Sequence, residues 1–168
     1  MALVTETGGG SASAESLASV AAADNYHSVR ANTAWAALTT ALKEAALRKA
    51  TDYMGQTFMT RWKGYRTTTT QALDWPRADV ERVGFYGIAY WANDTVPAPV
   101  VNACCELALR ASGGELNEDT AQEVLREKIG QIETEYQPGS RAVTRYPAIE
   151  GLLAPFLTGA GGVRISKA

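Results

Sequence analysis

Apolar residues recur at helical spacing in several stretches of this chain, separated by polar or aperiodic segments. Val20, Ala23, Tyr26 and Val29 predict a first helix over Val20–Val29, with Ser19 placed to cap it. Asn32–Thr39 reads as a short connection carrying Trp35 and Leu38. A second helix starts at Thr40, the expected cap, and lines up Leu42, Ala46, Ala50, Tyr53 and Met54 on one stripe. Glu44 and Arg48 form an i,i+4 pair on its outer face, and Gly55 is expected to end or bend it. The string VPAP opens a third helix, because Pro97 and Pro99 fit a first turn whose N–H groups have no helical partner. Val100, Cys104, Leu107, Ala108 and Ala111 make its buried face, and it stops near Ser112, before Gly113-Gly114. Tyr146-Pro147 opens a last short helix to Leu157, turning Ile149, Leu152, Leu153, Phe156 and Leu157 inward.

Between Phe58 and Asp94 the period is lost. Thr67–Thr70 favours an extended loop or strand, and Gly84–Gly87 with its aromatic flanks suggests a turn or short hairpin. Glu115–Arg126 is polar and allows a short helix, Lys128–Tyr136 alternates like a strand, and Pro138-Gly139 reads as a turn. Residues 1–18, rich in Gly, Ser, Ala and Thr, read as a flexible N-terminal arm. Gly159–Ala168 reads as a C-terminal arm in which Val163 and Ile165 flank Arg164. The expected architecture is mainly α: residues 19–158 form a small bundle of about three or four helices with one or two short β-hairpins, between two extended arms.

Composition narrows the function classes. At 168 residues and 46% hydrophobic, the chain suits one domain with one modest core. A net charge of −2 argues against a protein whose main task is coating DNA, though not against a local basic patch. Cys104 and Cys105 are adjacent on an apolar helical stretch, so at most one is expected to point squarely into the core. A vicinal disulfide is strained, and inert buried thiols fit a reducing compartment. The chain has no apolar run near the ~20 residues of a membrane span and no basic-then-apolar leader, so it reads as a soluble cytoplasmic protein.

Reactive chemistry is sparse. His27, the single histidine, precedes Ser28 and reads as a surface or cap residue, which leaves no Ser–His or Cys–His device. No phosphate-binding glycine loop follows a strand, and Gly8–Gly10 has no strand before it. Glu115, Glu118 and Asp119, like Glu133 and Glu135, lack calcium-loop spacing and read as solvated charge. The expectation is no enzyme, no metal and no cofactor.

The segment Arg61–Arg77, RWKGYRTTTTQALDWPR, stands out for mixing aromatic and basic side chains, and Phe85, Tyr86, Tyr90 and Trp91 follow it. Arg61, Trp62, Lys63, Tyr65 and Arg66 can form a stacking and phosphate-contact patch for single-stranded nucleic acid. The rival reading packs Trp62 and Tyr65 on the second helix and leaves the cations solvated or ion-paired. Trp75-Pro76 reads as structural, with Trp75 anchoring the loop to the core. Trp75, Arg77, Phe85, Tyr86 and Trp91 complete the set of candidate subunit or partner contacts.

The strings AAADNYHSVRANTAWAALTTALKEAALRKATDYM, RWKGYR, TQALDWPR, VPAPVVNACCELALRA and YPAIEGLLAPFL occur in that order over Val20–Leu157. Together they resemble tailed-phage proteins often labelled DnaT-like single-stranded DNA-binding, which in turn resemble head-to-tail adaptor, or head-completion, proteins. The resemblance implies a helical virion protein that forms a ring of about twelve copies under the phage portal protein. Such a ring would extend the channel for genomic double-stranded DNA and offer a docking face to a neck, tail-completion or tail-terminator protein. It would sit in the head–tail neck of the virion, and in the host cytoplasm during assembly, with no membrane. No catalytic or cofactor residue comes with the resemblance. Val163, Arg164 and Ile165 would then dock on the portal or a neighbouring subunit. The alternative is a single-stranded DNA-binding accessory protein of phage replication.

Overall fold

The computed structural model describes residues 2–82, 84, 87–117, 124–128, 133–136 and 144–159. In chain order they form α1 (Val20–Ser28), α2 (Thr33–Ala36), α3 (Thr40–Phe58), β1 (Tyr65–Arg66), β2 (Arg77–Ala78), α4 (Ala98–Ala111), β3 (Val124–Lys128), β4 (Glu133–Tyr136) and α5 (Pro147–Leu153), which runs into a 3-10 turn at Ala154–Phe156. The fold is mainly helical. α3 and α4 form the central pair, α5 packs on α4, and α1 lies against both α3 and α4.

Local chemistry accounts for the helix boundaries. The Ser19 hydroxyl accepts from the Ala22 N–H at the start of α1, as expected, and the Thr39 hydroxyl, one residue before the expected cap, does the same for Leu42 in α3. Gly55 neither ends nor bends α3, which runs on to Phe58 and buries Ala46, Leu47, Ala50, Tyr53, Met54 and Phe58. Leu42 is 54% exposed, because the first turn of α3 projects past its neighbours. α4 starts behind Pro97 and is covered on several sides, so Cys104 and Cys105 are both fully buried. The one-thiol expectation fails because α1, α3 and α5 all pack on this helix.

Residues 2–18 are built into the fold and are not a free arm. The Glu6 carboxylate, buried, accepts the backbone N–H groups of Gly8, Gly10 and Ser11 at 2.7, 3.1 and 2.8 Å. Gly8 sits at φ +112°, where a Cβ would lie 1.9 Å from the Asp94 carbonyl oxygen, so no other residue fits. Leu17 and Ala18 enter the core, and the Leu17 N–H donates to the Thr51 hydroxyl. Composition misled here because a buried carboxylate and backbone pairing between Val4–Glu6 and Glu15–Ser16 add order that apolar content does not announce.

His27 is also inside, fully buried at the end of α1. Its Nε2–H donates to the Cys105 carbonyl at 3.0 Å, so Nδ1 is the acceptor for the Asn32 amide at 2.9 Å, and the ring is neutral. Trp35 stacks 4.8 Å away. Burial pushes the imidazole pKa below its usual value of 6.5. Beside it, burial and the bond to Glu106 push the Tyr26 phenol up to about 12. Burial works against ionised Glu106, but hydrogen bonds from Arg110 and Tyr26 outweigh it and hold that carboxyl below its usual range.

Two small antiparallel pairs complete the fold. β1 and β2 pair Tyr65 with Ala78 and Arg66 with Arg77. Thr67–Thr70 is not a strand: the Gln71 side chain accepts from Thr67 and Thr68 and donates to the Leu73 and Pro76 carbonyls, closing a loop. On either side of Gly84–Gly87, where a turn or short hairpin is expected, Glu81 bridges Tyr90 and the Trp91 N–H donates to the Val80 carbonyl. β3 and β4 pair Lys128 with Glu133 and Val124 with Tyr136, so Lys128 and Glu133–Tyr136 of the expected strand fall on two paired strands. β3 also stands where a short helix was allowed.

Aromatic rings bind these parts in a continuous chain. Tyr146 meets Tyr53, Tyr53 meets Phe58, Phe58 meets Trp62, Trp62 meets Trp75 and Trp75 meets Phe156, each edge to face. Trp91 closes the line 5.2 Å from Phe156.

Trp75→Ala removes a fully buried indole from the middle of this chain and is expected to cost about 3–5 kcal/mol in chemical unfolding. A loss under about 1 kcal/mol would show that Trp75 is no anchor. His27 has the opposite sign to a salt-bridged histidine. Its contribution is fully present above the unfolded value near 6.5 and is lost as pH falls from there through the depressed folded value. Thermal unfolding should therefore soften as pH falls below about 6.5, and His27→Gln should flatten that slope.

Candidate nucleic-acid interface

The aromatic and basic segment starts where α3 ends. The Met59 N–H bonds to the Gly55 carbonyl, and the Trp62 N–H to that of Phe58, bringing the chain round one more turn. The C-terminal end of the described chain then fixes it. The Lys63 N–H donates to the Phe156 carbonyl at 2.9 Å, the Thr158 N–H donates to the Arg61 carbonyl at 2.7 Å, and Trp62 bridges Leu157. Gly64 turns the backbone at φ +65°, where a Cβ would lie 2.0 Å from the Ala78 carbonyl oxygen.

The structure sorts the candidates into inner and outer groups. Trp62, Trp75 and Arg77 are buried, so they support the surface and do not form it. The Trp62 indole N–H donates to Asp74 Oδ2 at 3.2 Å. Arg77 acts as an internal clip: Nε donates to the Lys63 carbonyl, Nη2 to that of Gly64 and Nη1 to that of Asp74, at 2.8, 2.8 and 3.2 Å. The packing reading of Trp62 holds, and Tyr65, which that reading also placed inside, is 58% exposed. Arg66 is exposed beside it and donates from Nη2 to Asp74 Oδ1 at 2.8 Å. Arg61 and Lys63 are half-buried; the Arg61 guanidinium lies 5.7 Å from the Phe58 ring centre, and Lys63 Nζ donates to the Pro155 carbonyl at 2.8 Å.

Trp91 is half-buried under the Arg82 guanidinium, 4.4 Å from the ring centre. Nearby in sequence, Tyr90 and Ile88 are 56% and 77% exposed. Phe85 and Tyr86, and the arm residues Val163, Arg164 and Ile165, lie outside the described residues.

Asp74 is the residue that sequence reasoning missed. Its carboxylate is nearly inaccessible, yet it receives Arg66 and Trp62, and its carbonyl receives Arg77. The signal was available: a carboxylate between Leu73 and Trp75 in a core-bound string needs donors, and the nearest are arginines. Two concavities meet at this point, and Met59, Trp62, Arg66 and Asp74 line both. Among the described residues no His, Cys, Asp and Glu cluster suits a metal ion, and no helix is long and apolar enough to cross a membrane.

A protein-family model described as "Putative DnaT-like ssDNA binding protein" matches residues 1–168. No curated protein matches, and no solved structure matches.

The inner and outer groups should respond differently to truncation. Arg77→Ala leaves buried carbonyls without a donor and should destabilise by about 1–3 kcal/mol. Tyr65→Ala removes an exposed ring and should cost under about 1 kcal/mol. Equal losses in denaturant titrations would contradict the division.

Proposed function

Because the chain belongs to this DnaT-like family, we propose that single-stranded DNA is its ligand and that the strand lies across the face formed by Arg61, Lys63, Tyr65 and Arg66. The protein acts by contact and not by catalysis. The observation that carries this reading is Tyr65, a large exposed ring next to Arg66 on a concave surface. Base–aromatic stacking tolerates any base, and nearby cations follow the phosphates. Three cations are few, and the net charge of −2 opposes long-range attraction. Binding is therefore modest and local.

A second reading is a ring-forming head-to-tail adaptor of a phage virion, and a specific observation favours it. Trp62 and Trp75 face inward, which leaves Tyr65 as the exposed aromatic of its segment. A near-neutral subunit also suits a conduit through which duplex DNA slides without sticking. On this reading the subunit assembles as a ring below the portal protein in the neck, with Val163, Arg164 and Ile165 docking on the portal and the opposite end meeting a tail-completion protein.

A salt-titrated oligonucleotide assay separates the two. With three phosphate contacts on a single strand, log K should fall against log salt with a slope of about −2. Tyr65→Ala should weaken binding by about 1–3 kcal/mol. A protein that ignores oligonucleotides at low salt and forms rings in electron micrographs supports the adaptor instead.

A further inference from the structure

Arg66 differs from the other cations of this face in how it is held. Arg61 lies against Phe58, Lys63 caps the Pro155 carbonyl, and Arg77 is consumed by three carbonyls. Arg66 is tethered by one nitrogen only: Nη2 meets Asp74 Oδ1 at 2.8 Å, while the side chain remains 40% exposed. Asp74 cannot swing, because it is 6% exposed and its second oxygen holds the Trp62 indole. The guanidinium is thus anchored at one nitrogen to a buried, immobile carboxylate, and Arg66 lines both concavities.

An anchored planar fork loses little entropy when it binds, and its geometry matches two acceptors side by side. A cavity of about 280 Å³ opens on one side of it, just under the usual size of a ligand site and enough for one ring-sized group. On the strand, two chemistries present such an acceptor pair: the non-bridging oxygens of a phosphate, and O6 with N7 of a guanine.

Resting on the reading that single-stranded DNA is the ligand, we propose that Arg66 is a pre-positioned bidentate donor for one acceptor pair of the bound strand, with Asp74 as its positioning residue. Tyr65 supplies stacking that is indifferent to sequence, and Arg66 supplies the directional contact. A lysine keeps the charge but not the fork, so Arg66→Lys isolates geometry from charge.

The test is fluorescence anisotropy with labelled oligothymidine and with a thymidine–guanosine oligonucleotide of equal length, for the wild type and Arg66→Lys. If the fork reads guanine, the wild type favours the guanosine-containing strand by about tenfold and Arg66→Lys erases that preference alone. If it grips phosphate, Arg66→Lys weakens both strands by a similar factor of about five or more. Asp74→Asn should then shrink the effect of Arg66→Lys to under about twofold, the coupling expected of residues acting together. If both strands bind and Arg66→Lys changes neither by as much as about twofold, the proposal fails while the single-stranded DNA reading stands. If neither strand binds the wild type, both fail.

Discussion

Edge-to-face contact between aromatic rings is the interaction on which the rest of this structure depends. The line from Tyr146 through Tyr53, Phe58, Trp62, Trp75 and Phe156 to Trp91 crosses regions far apart in sequence. Large rings remove much water-exposed area with few torsions to freeze, and quadrupole attraction adds a preferred angle to that burial. Among the described residues, the regular structure in the aperiodic stretch from Phe58 to Asp94 amounts to two-residue strands and isolated bridges. It keeps its shape because Trp62 and Trp75 are seated in the helical core.

Burying those indoles also sets the electrostatics of the surface above them. Trp62 brings an N–H into the interior, and Asp74 receives it. A buried carboxylate needs a cation or several donors, and Arg66 supplies the charge from the rim. The exposed basic character of the face is smaller than the count of arginines suggests, because Asp74 offsets one and Arg77 is turned inside. What remains is one exposed ring, Tyr65, beside a guanidinium whose charge Asp74 partly offsets.

Helical periodicity made the helical frame legible. α1, α3, α4 and α5 fall where their apolar spacing put them, and the buried face of α4 contains all the residues expected there. Local order supplied by polar side chains escaped notice. Glu6 organises the N-terminal turn, Gln71 closes the threonine loop, and His27 joins α1 to α4; no apolar pattern announces any of them. Of the candidate face, residue types and location were readable, but orientation was not. Alternate residues in an irregular segment point in opposite directions, and only the three-dimensional neighbours of Trp62, Tyr65 and Arg77 decide which goes inside.

The backbone of the contact segment is tied on both sides: to α3 through Phe58, and to the far end of the described chain through Arg61 and Thr158. Thr158 holds the Arg61 carbonyl through both its N–H and its hydroxyl, so a change that displaces the last described residues would also shift the turn that carries Tyr65 and Arg66.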